Sequence, residues 1–367
     1  MSKKDTENKV FKSVTIKIGS NVLTGEDGHL DRERMAHIAE EIAYLHQAGI
    51  KVILVSSGAV ASGRSIVKGC SKRDQVSERQ LLSSVGQVRL LTTYASLFEA
   101  HGITCSQILV TKQDFRTREH YLNMKNCLSV LLESDIVPII NENDAVSVTA
   151  LMFTDNDELA GLVATMMNTE ALFILSNVDG VYSGDPGNPD SVLLKVINDR
   201  SIDLSDIVTS NKSNFGRGGM VTKGRVARTT AASGVSVFIA NGKKDNIIRG
   251  LAMKPSSVPH TLFAPGTPSK AVKKWMAYSA GFAQSEVSIN FGAKQALFSD
   301  KATSLLLAGV TDMDGDFKKG DLLRILDEDN NLLGIGRAQY DRKKAEEHID
   351  DKKYKPLVHY DYLVLFH

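Results

Sequence analysis

The sequence has few cysteines and no long apolar run, and each shortage excludes a class of protein. Its three cysteines, Cys70, Cys105 and Cys127, form no CxxC pair, which argues against a disulfide framework or a zinc site and fits a reducing compartment. No run of about 18 apolar residues occurs, and the N-terminal MSKKDTENKV lacks the apolar core of a signal peptide. We therefore expect a cytoplasmic protein with no membrane segment.

An excess of charge of one sign is also missing. The 44 basic and 43 acidic residues leave a formal net charge of +1, so the overall charge favours neither nucleic acid nor an anionic membrane as a partner. The nine histidines show no pair at the spacing of metal ligands. We therefore predict that the chain itself provides no metal-binding cluster.

The two common nucleotide-binding motifs, GxxxxGK[ST] and GxGxxG after a strand, are absent, yet one glycine-rich stretch indicates a phosphate site. In SNFGRGGMVTKGRVA, residues 213–227, three glycines occur within four positions, and Lys223 follows four residues after the last of them. Glycines let backbone N–H groups crowd around a ligand, and a helix N-terminus carries partial positive charge. A lysine beside that charge is unfavourable unless an anion compensates for it.

The length of 367 residues predicts two domains. Continuous apolar runs alternate with helical patterns up to about residue 240, which predicts an α/β fold with a mainly parallel sheet covered on both faces, a three-layer sandwich. Four of the eight prolines lie within residues 255–270, and short strand-like runs such as SLLLAGV follow. We predict a catalytic domain over residues 10–258, a linker over 259–283 and a small β-rich domain over 284–367.

Polar segments follow the predicted strands in IGSN, SSGAV, NENDAV and SNVDG. Ligands of open α/β sheets bind outside the carboxyl ends of the strands, so we expect these segments to converge on one edge. Lys17 ends the first strand, where a lysine is usually a surface residue with a buried stem. At this edge, together with Lys223, it suits phosphoryl transfer, which needs fixed cations around the transferred group.

SSGAV and NENDAV are the first two candidate binding segments. Ser57 and Gly58 follow a strand, either for tight packing of strand against helix or to hold a carboxylate or phosphate. In NENDAV, four polar residues from Asn141 to Asp144 directly follow the buried run IVPII, where an ordinary turn needs one or two. This surplus of polar side chains favours a binding role.

FTDNDELA is the third candidate segment and precedes a predicted helix. A purely structural interpretation is an N-cap with an acidic first turn, and Asp157 and Glu158 would be sufficient for this. On that interpretation Asp155 and Asn156 are surplus, and we predict that they bind an ammonium group or lie near Mg²⁺.

Taken in order, KIGSN, LVSSGAVASG, NENDAV, DNDELA, SNVDGVY and GRGGMVTK resemble the motifs of the amino acid kinase family. The resemblance covers residues from about 12 to 250 and is greatest with the branch that phosphorylates glutamate. The tail containing GDFKKGD, residues 315–321, resembles a PUA domain. The resemblance implies ATP-dependent phosphorylation of the side-chain carboxylate of L-glutamate, with Mg²⁺, to L-glutamyl 5-phosphate in the first step of proline biosynthesis.

The same resemblance implies roles for individual residues. Lys17 and Lys223 are the phosphoryl-stabilising lysines, and Asp157 organises them. The other implied positions are Ser57, Gly58, Asn141, Asp144, Asp155 and Asn156 for glutamate, and Lys17, Ser176, Asn177, Arg217, Gly218, Gly219, Met220, Val221, Thr222 and Lys223 for ATP. Ser176-Asn177 replaces the usual Thr-Asp and Arg217 the usual threonine, and both departures leave the lysines in place.

The resemblance also implies partners, and it leaves alternatives open. It implies feedback inhibition by L-proline, a homodimer or homotetramer, and channelling of product to glutamate-5-semialdehyde dehydrogenase. An acetylglutamate, aspartate or carbamate kinase would keep the lysines and change the substrate, although NENDAV and the PUA-like tail argue against these. RNA binding through the tail is a further alternative, but residues 280–367 hold 12 basic and 15 acidic residues, whereas a phosphate-backbone binder needs a positive surface. Nucleic acid is therefore not expected as a partner.

Overall fold

The structure is a computed structural model that describes residues 10–67, 74–115, 117–147, 153, 155–198, 219–267, 276, 283, 285–299, 302–349, 351 and 354–366. The chain divides into two compact units, Met1–Pro268 and Ser269–His367. Each unit has a sheet of its own, with eight strands in the first and five in the second among the described residues.

A mainly parallel sheet forms the first unit. Its strands are β1 (Ser13–Ile18), β2 (Lys51–Ser56), β3 (Cys105–Val110), β4 (Val137–Glu142), β5 (Ala171–Ser176), β6 (Val196–Ile197), β7 (Ser236–Asn241) and β8 (Thr261–Phe263). Their spatial order is β3-β4-β2-β1-β5-β7-β8-β6. The strands from β3 to β7 in this order are parallel, whereas β8 runs antiparallel to β7 and parallel to β6. The carboxyl ends of β1, β2, β4, β5 and β7 therefore lie at one edge.

Helices connect these strands. They are α1 (Ser20–Leu23), α2 (Arg32–Gln47), α3 (Ala59–Arg64), α4 (Gln75–Glu99), α5 (Arg118–Glu133), α6 (Asn156–Met167), α7 (Met220–Ala232) and α8 (Ile247–Met253). Asp31 caps α2 by accepting from the backbone N–H of Arg34, as its position before an apolar periodic run predicts. No helix in the described part of the chain has both the length and the apolarity needed to cross a membrane.

The central strand β1 contacts helices on both faces of the sheet. Val14, Ile16 and Ile18 are fully buried in one apolar cluster with residues of α2, α4 and α8. The intervening Thr15 and Lys17 meet Thr169 and Asp157, which lie at the two ends of α6. Because successive side chains of a strand point to opposite faces, α6 covers the face opposite α2. The predicted α/β sandwich with a mainly parallel sheet is confirmed.

The second unit is β-rich, as predicted. Its strands are β9 (Ser285–Ile289), β10 (Val310–Asp314), β11 (Leu322–Leu326), β12 (Leu332–Ala338) and β13 (Val358–Leu365), in the order β10-β9-β11-β12-β13, with the short helices α9 (Phe291–Leu297) and α10 (Arg342–Glu347). The prediction that SLLLAGV is a strand was wrong. Leu305 makes one isolated bridge and Leu307–Gly309 is a 3₁₀ turn, because both leucines fill the core of the unit.

β8 lies within residues 259–283, the span predicted as a linker. It nevertheless pairs with β6 and β7 and so belongs to the first sheet. The domain bounds themselves stay a prediction.

Helices α3 and α4 approach closely through two glycines. A Cβ atom at Gly86 would lie 1.8 Å from the carbonyl oxygen of Ala59, and one at Gly63 would lie 2.0 Å from that of Leu82. Both neighbouring atoms belong to backbone, so a side chain could enter only if one helix moved. The contact fixes α3, whose N-cap Gly58 lies at the carboxyl end of β2.

Gly86→Ala is expected to lower the free energy of unfolding by about 1–3 kcal/mol, the usual cost of overpacking a close contact. Urea unfolding followed by circular dichroism measures this change. Ser84→Ala on the exposed face of the same helix is the matched control, and we expect a change of about 0.5 kcal/mol or less. Equal stability of the two variants would show that α3 and α4 separate without cost.

Candidate active site

A cleft of about 790 Å³ lies at the edge where the parallel strands end. The predicted site residues that line it are Lys17, Ser57, Gly58, Asn141, Asp144, Asp155, Asn156, Asp157, Ser176, Asn177, Gly219, Met220 and Lys223. Segments from six different stretches of the chain therefore meet in one place, as the rule for open α/β sheets predicts. Val221 is exposed, and neither it nor Thr222 lines the cleft. Arg217 and Gly218 lie outside the described residues.

Two lysines share one buried carboxylate in the cleft. Lys17 Nζ lies 2.6 Å from Oδ1 of Asp157, and Lys223 Nζ lies 3.0 Å from Oδ2. Asp157 is 0% exposed, and the lysine side chains are 6% and 13% exposed. Three elements bring these side chains together. Lys17 lies near the end of β1, Asp157 in the first turn of α6 and Lys223 in the first turn of α7. Two ammonium groups and one carboxylate leave a net positive charge at the cleft wall.

Burial and neighbouring charge have opposite effects on the two aspartates beside this cluster. Burial by itself would raise the pKa of Asp157, but the charges of Lys17 and Lys223 hold it below its ordinary value, so the carboxylate stays ionised. The pKa of Asp155 is raised, first by burial and then by the negative charge of Asp157.

The two aspartates of DNDELA have different roles in the structure, and the interpretation that left Asp155 surplus to the helix cap was wrong. Asp155 is the N-cap of α6: its Oδ1 accepts from the backbone N–H groups of Asp157 and Glu158, at 2.9 and 3.1 Å. Asp155 is thus required by the helix and is not surplus to capping, whereas Asp157 contacts both lysines, the pair that the family resemblance implied it organises. The reason is helical geometry, because the second residue of α6 faces β1.

A hydrogen-bond network joins the ends of β2 and β4. Asn156 Nδ2 donates to Ser57 Oγ at 2.8 Å and to Asn141 Oδ1 at 2.9 Å, and Asn141 Nδ2 donates to Gln87 Oε1 at 2.9 Å. Because both N–H bonds of the Asn156 amide are used in this network, the group that it presents to a ligand in the cleft is Oδ1, a hydrogen-bond acceptor. The network fixes three predicted glutamate positions relative to one another.

Asp144 is held by an arginine that sequence reasoning did not identify. Arg79 Nη2 and Nε lie 2.6 and 3.0 Å from Asp144 Oδ1, and Nη2 lies 3.7 Å from Oε2 of the buried Glu142. Glu142 also accepts from the backbone N–H of Phe153. At the end of β4, two carboxylates and the guanidinium that α4 contributes therefore line the cleft.

Ser176 and Asn177 lie at the other side of the cleft, after β5. Ser176 is buried and donates to Asn177 Oδ1 at 3.3 Å, while Asn177 is exposed. The turn GDPGNPD, residues 184–190, contributes Gly184, Asp185 and Pro186 to the lining. Gly219 is the N-cap of helix α7, and because it has no side chain to cap the helix, the backbone N–H groups of the first turn remain available to a ligand.

Comparison with known proteins identifies the family. The model of the amino acid kinase family matches residues 12–241, and that of the PUA domain matches residues 285–356. The chain belongs to the amino acid kinase family. A relative from Bacteroides thetaiotaomicron named glutamate 5-kinase is 49% identical over 97% of this chain and 99% of its own length. A second, from Chlorobaculum tepidum and of the same name, is 44% identical over 98% of this chain and 99% of its own length.

Among solved structures, UMP kinase from Ureaplasma parvum is 16% identical and covers 69% of this chain and 99% of its own, with a TM-score of 0.49. The resemblance to the amino acid kinase family seen in six ordered motifs, and that of the tail to a PUA domain, are confirmed by the two family matches.

The amino acid kinase motifs did not lead to Arg79 and Gln87, because both lie on a helix and not in a loop after a strand. A signal was nevertheless present. Positions 79, 83, 87, 90 and 94 recur at helical spacing, and Leu90 and Tyr94 are apolar residues of the kind that bury a helix face. Extending that face toward the N-terminus of α4 includes Arg79, and a polar side chain on a buried face needs a partner.

Proposed function

We propose that this chain transfers the γ-phosphoryl group of ATP to the side-chain carboxylate of L-glutamate. The product is L-glutamyl 5-phosphate, in the first step of proline biosynthesis. The curated relatives that are 49% and 44% identical over nearly the whole chain are named glutamate 5-kinase, which supports this reaction. The observation that carries the proposal is the contact of Lys17 and Lys223 with a single buried carboxylate, Asp157.

The chemistry needs fixed positive charge and no general base. A glutamate side chain has an ordinary pKa near 4.3, so the nucleophile is already ionised at pH 7. No histidine is found among the described residues that line the cleft, which fits this requirement. The difficulty is to bring one anion onto another, and Lys17 and Lys223 offset that repulsion and hold the groups in line. Asp157 keeps both ammonium groups in one place.

Mg²⁺ accompanies ATP in this proposal. Mg²⁺ prefers oxygen ligands, keeps several waters and is bound by one or two carboxylates together with substrate phosphates. Asp155 fits this chemistry, because its Oδ2 is buried, lies at the cleft wall and has no hydrogen-bond partner among the residues that the structure describes. No group of three or more metal-ligating side chains occurs among the described residues, so most ligands of the ion would come from ATP and water. The bound ion would neutralise phosphate charge.

Glutamate and the nucleotide occupy opposite sides of the cleft. Ser57, Asn156 and Asp144 lie toward β2 and β4, and we assign them to glutamate, with Gly58, Asn141 and Asp155 adjacent. Ser176, Asn177 and the N-terminus of α7 lie toward β5, and we assign them to ATP, with residues 217–223 completing the contacts. Inhibition by L-proline, a homo-oligomer, channelling to glutamate-5-semialdehyde dehydrogenase and a cytoplasmic location belong to the same proposal and rest on the family resemblance.

The test is formation of hydroxamate from ATP, Mg²⁺ and a panel of acids in the presence of hydroxylamine. We expect product with L-glutamate and little with N-acetylglutamate, aspartate or carbamate, and we expect L-proline to reduce the rate. Preference for N-acetylglutamate would overturn the choice of substrate. An RNA-binding role is checked by a mobility-shift assay at low salt, in which we expect no tight complex.

A further inference from the structure

The proposed function leaves one end of the substrate without an assigned cation. L-Glutamate carries a γ-carboxylate, an α-ammonium group and an α-carboxylate. The γ-carboxylate is the nucleophile, so it faces Lys17 and Lys223, and the α end points away from them. Asp144 and Oδ1 of Asn156 suit the ammonium group. The α-carboxylate then lies beside acidic side chains and needs a positive partner of its own.

Arg79 lies at that end of the cleft. Its guanidinium contacts Asp144 at 2.6 and 3.0 Å and lies 3.7 Å from Glu142, and its side chain is 26% exposed and lines the cleft. These carboxylates belong to the end of β4, which is two strands from β1 and Lys17. At about 4.8 Å per strand the separation is roughly 10 Å. An extended dicarboxylate gripped by a side chain at each end spans such a distance.

The distribution of charge singles out Arg79. The cationic side chains among the described residues that line the cleft are Lys17, Arg64, Arg79 and Lys223. The two lysines pair with Asp157, and Arg64 is exposed at the end of α3. Arg79 is the cation beside Asp144. Its planar guanidinium presents five N–H donors, so it can hold Asp144, lie beside Glu142 and still donate to a carboxylate of the substrate.

We propose that Arg79 binds the α-carboxylate of L-glutamate while it holds Asp144 toward the α-ammonium group. The pair then recognises the zwitterionic end of the amino acid. This inference rests on the proposed function and adds a residue that determines substrate specificity. An α-carboxylate held equally in the ground state and the transition state contributes to KM and not to kcat.

Arg79→Gln is expected to raise KM for L-glutamate by about 10–100-fold, the factor for losing a charge-assisted hydrogen bond. We expect kcat and KM for ATP to change less than about threefold. Arg79→Lys should fall between wild type and Arg79→Gln, because an ammonium group keeps the charge without the planar fork. Arg89→Gln, an exposed arginine of the same helix, is the matched control and should leave every constant unchanged. Thermal unfolding checks that each variant is folded.

A second ligand separates substrate contact from a purely structural role of Arg79. 4-Aminobutyrate keeps the ammonium group and the γ-carboxylate but lacks the α-carboxylate. Its inhibition constant against L-glutamate should rise by a smaller factor in Arg79→Gln than the KM for L-glutamate does, because 4-aminobutyrate loses only the support of Asp144. Equal weakening of both ligands would make Arg79 only a support of Asp144, and an unchanged KM for glutamate would also overturn the assignment. A wild-type chain that forms no hydroxamate from glutamate would instead overturn the proposed function.

Discussion

Lys223→Ala lowers kcat by about 10²–10³, the scale for losing one preorganised donor to developing charge. The lysine contacts Asp157 at 3.0 Å and its side chain is only 13% exposed. Water that enters the site of the variant would therefore compensate poorly for the lost positive charge. KM for glutamate should change little, because the ammonium group acts on the transferred phosphoryl group and not on the amino acid end. Steady-state kinetics with coupled detection of ADP measures both constants.

Arg225→Ala is the control for this variant, since Arg225 is an exposed residue of the same helix α7. We expect its kcat to equal that of wild type. A folded Lys223→Ala enzyme with normal turnover would remove Lys223 from the mechanism.

Asp157→Asn is expected to abolish most activity and to lower the free energy of unfolding by about 3–5 kcal/mol, the usual cost of breaking a buried ion pair from one side. The variant leaves Lys17 and Lys223 close together without their shared counter-charge, and like charges disfavour one another. Glu158→Gln is the control: Glu158 pairs with Lys112 at a partly exposed site, which predicts a change of about 1 kcal/mol or less. Equal stability of the two variants would contradict the role of Asp157.

The stability difference between wild type and Asp157→Asn should shrink as the pH falls below about 4. The lysines hold the folded-state pKa of Asp157 below its ordinary value despite burial. A group with a depressed pKa contributes stability that is complete above its unfolded-state pKa and is lost as the pH falls through its folded-state pKa. Urea unfolding between pH 7 and pH 3 measures the difference, and a pH-independent value would contradict this assignment.

The sequence predicted the sheet well because its strands are continuous apolar runs followed by polar turns. When both faces of a sheet are buried, a short continuous apolar run is typical of one of its strands. The strands β1, β2, β4 and β5 lie where the sequence predicted them. The prediction of a strand at SLLLAGV was wrong because this apolar run has a different role. In a small unit an apolar segment can fill the core from a turn, and local pattern does not distinguish this from a strand.

The candidate site was predicted where a residue's role follows from its place at the sheet edge. Lys17 and Lys223 were found in this way, since a charged residue beside glycine turns is locally unusual. The capping role of Asp155 was not predicted from the residues, because only the three-dimensional path of α6 decides which carboxylate caps the helix and which faces β1. Arg79 was missed because its partner Asp144 is 65 residues away in the sequence.

The pairing of β1 between β2 and β5 has a consequence for synthesis of the protein. β1 spans Ser13–Ile18 and β5 spans Ala171–Ser176, so the first strand to leave the ribosome waits for more than half of the domain before its second neighbour arrives. At about 5–20 residues per second this delay is on the order of ten to thirty seconds. Lys223, to which we assign phosphoryl transfer, is translated later still, so the nascent chain can form the contact of Lys223 with Asp157 only near the end of translation of this domain.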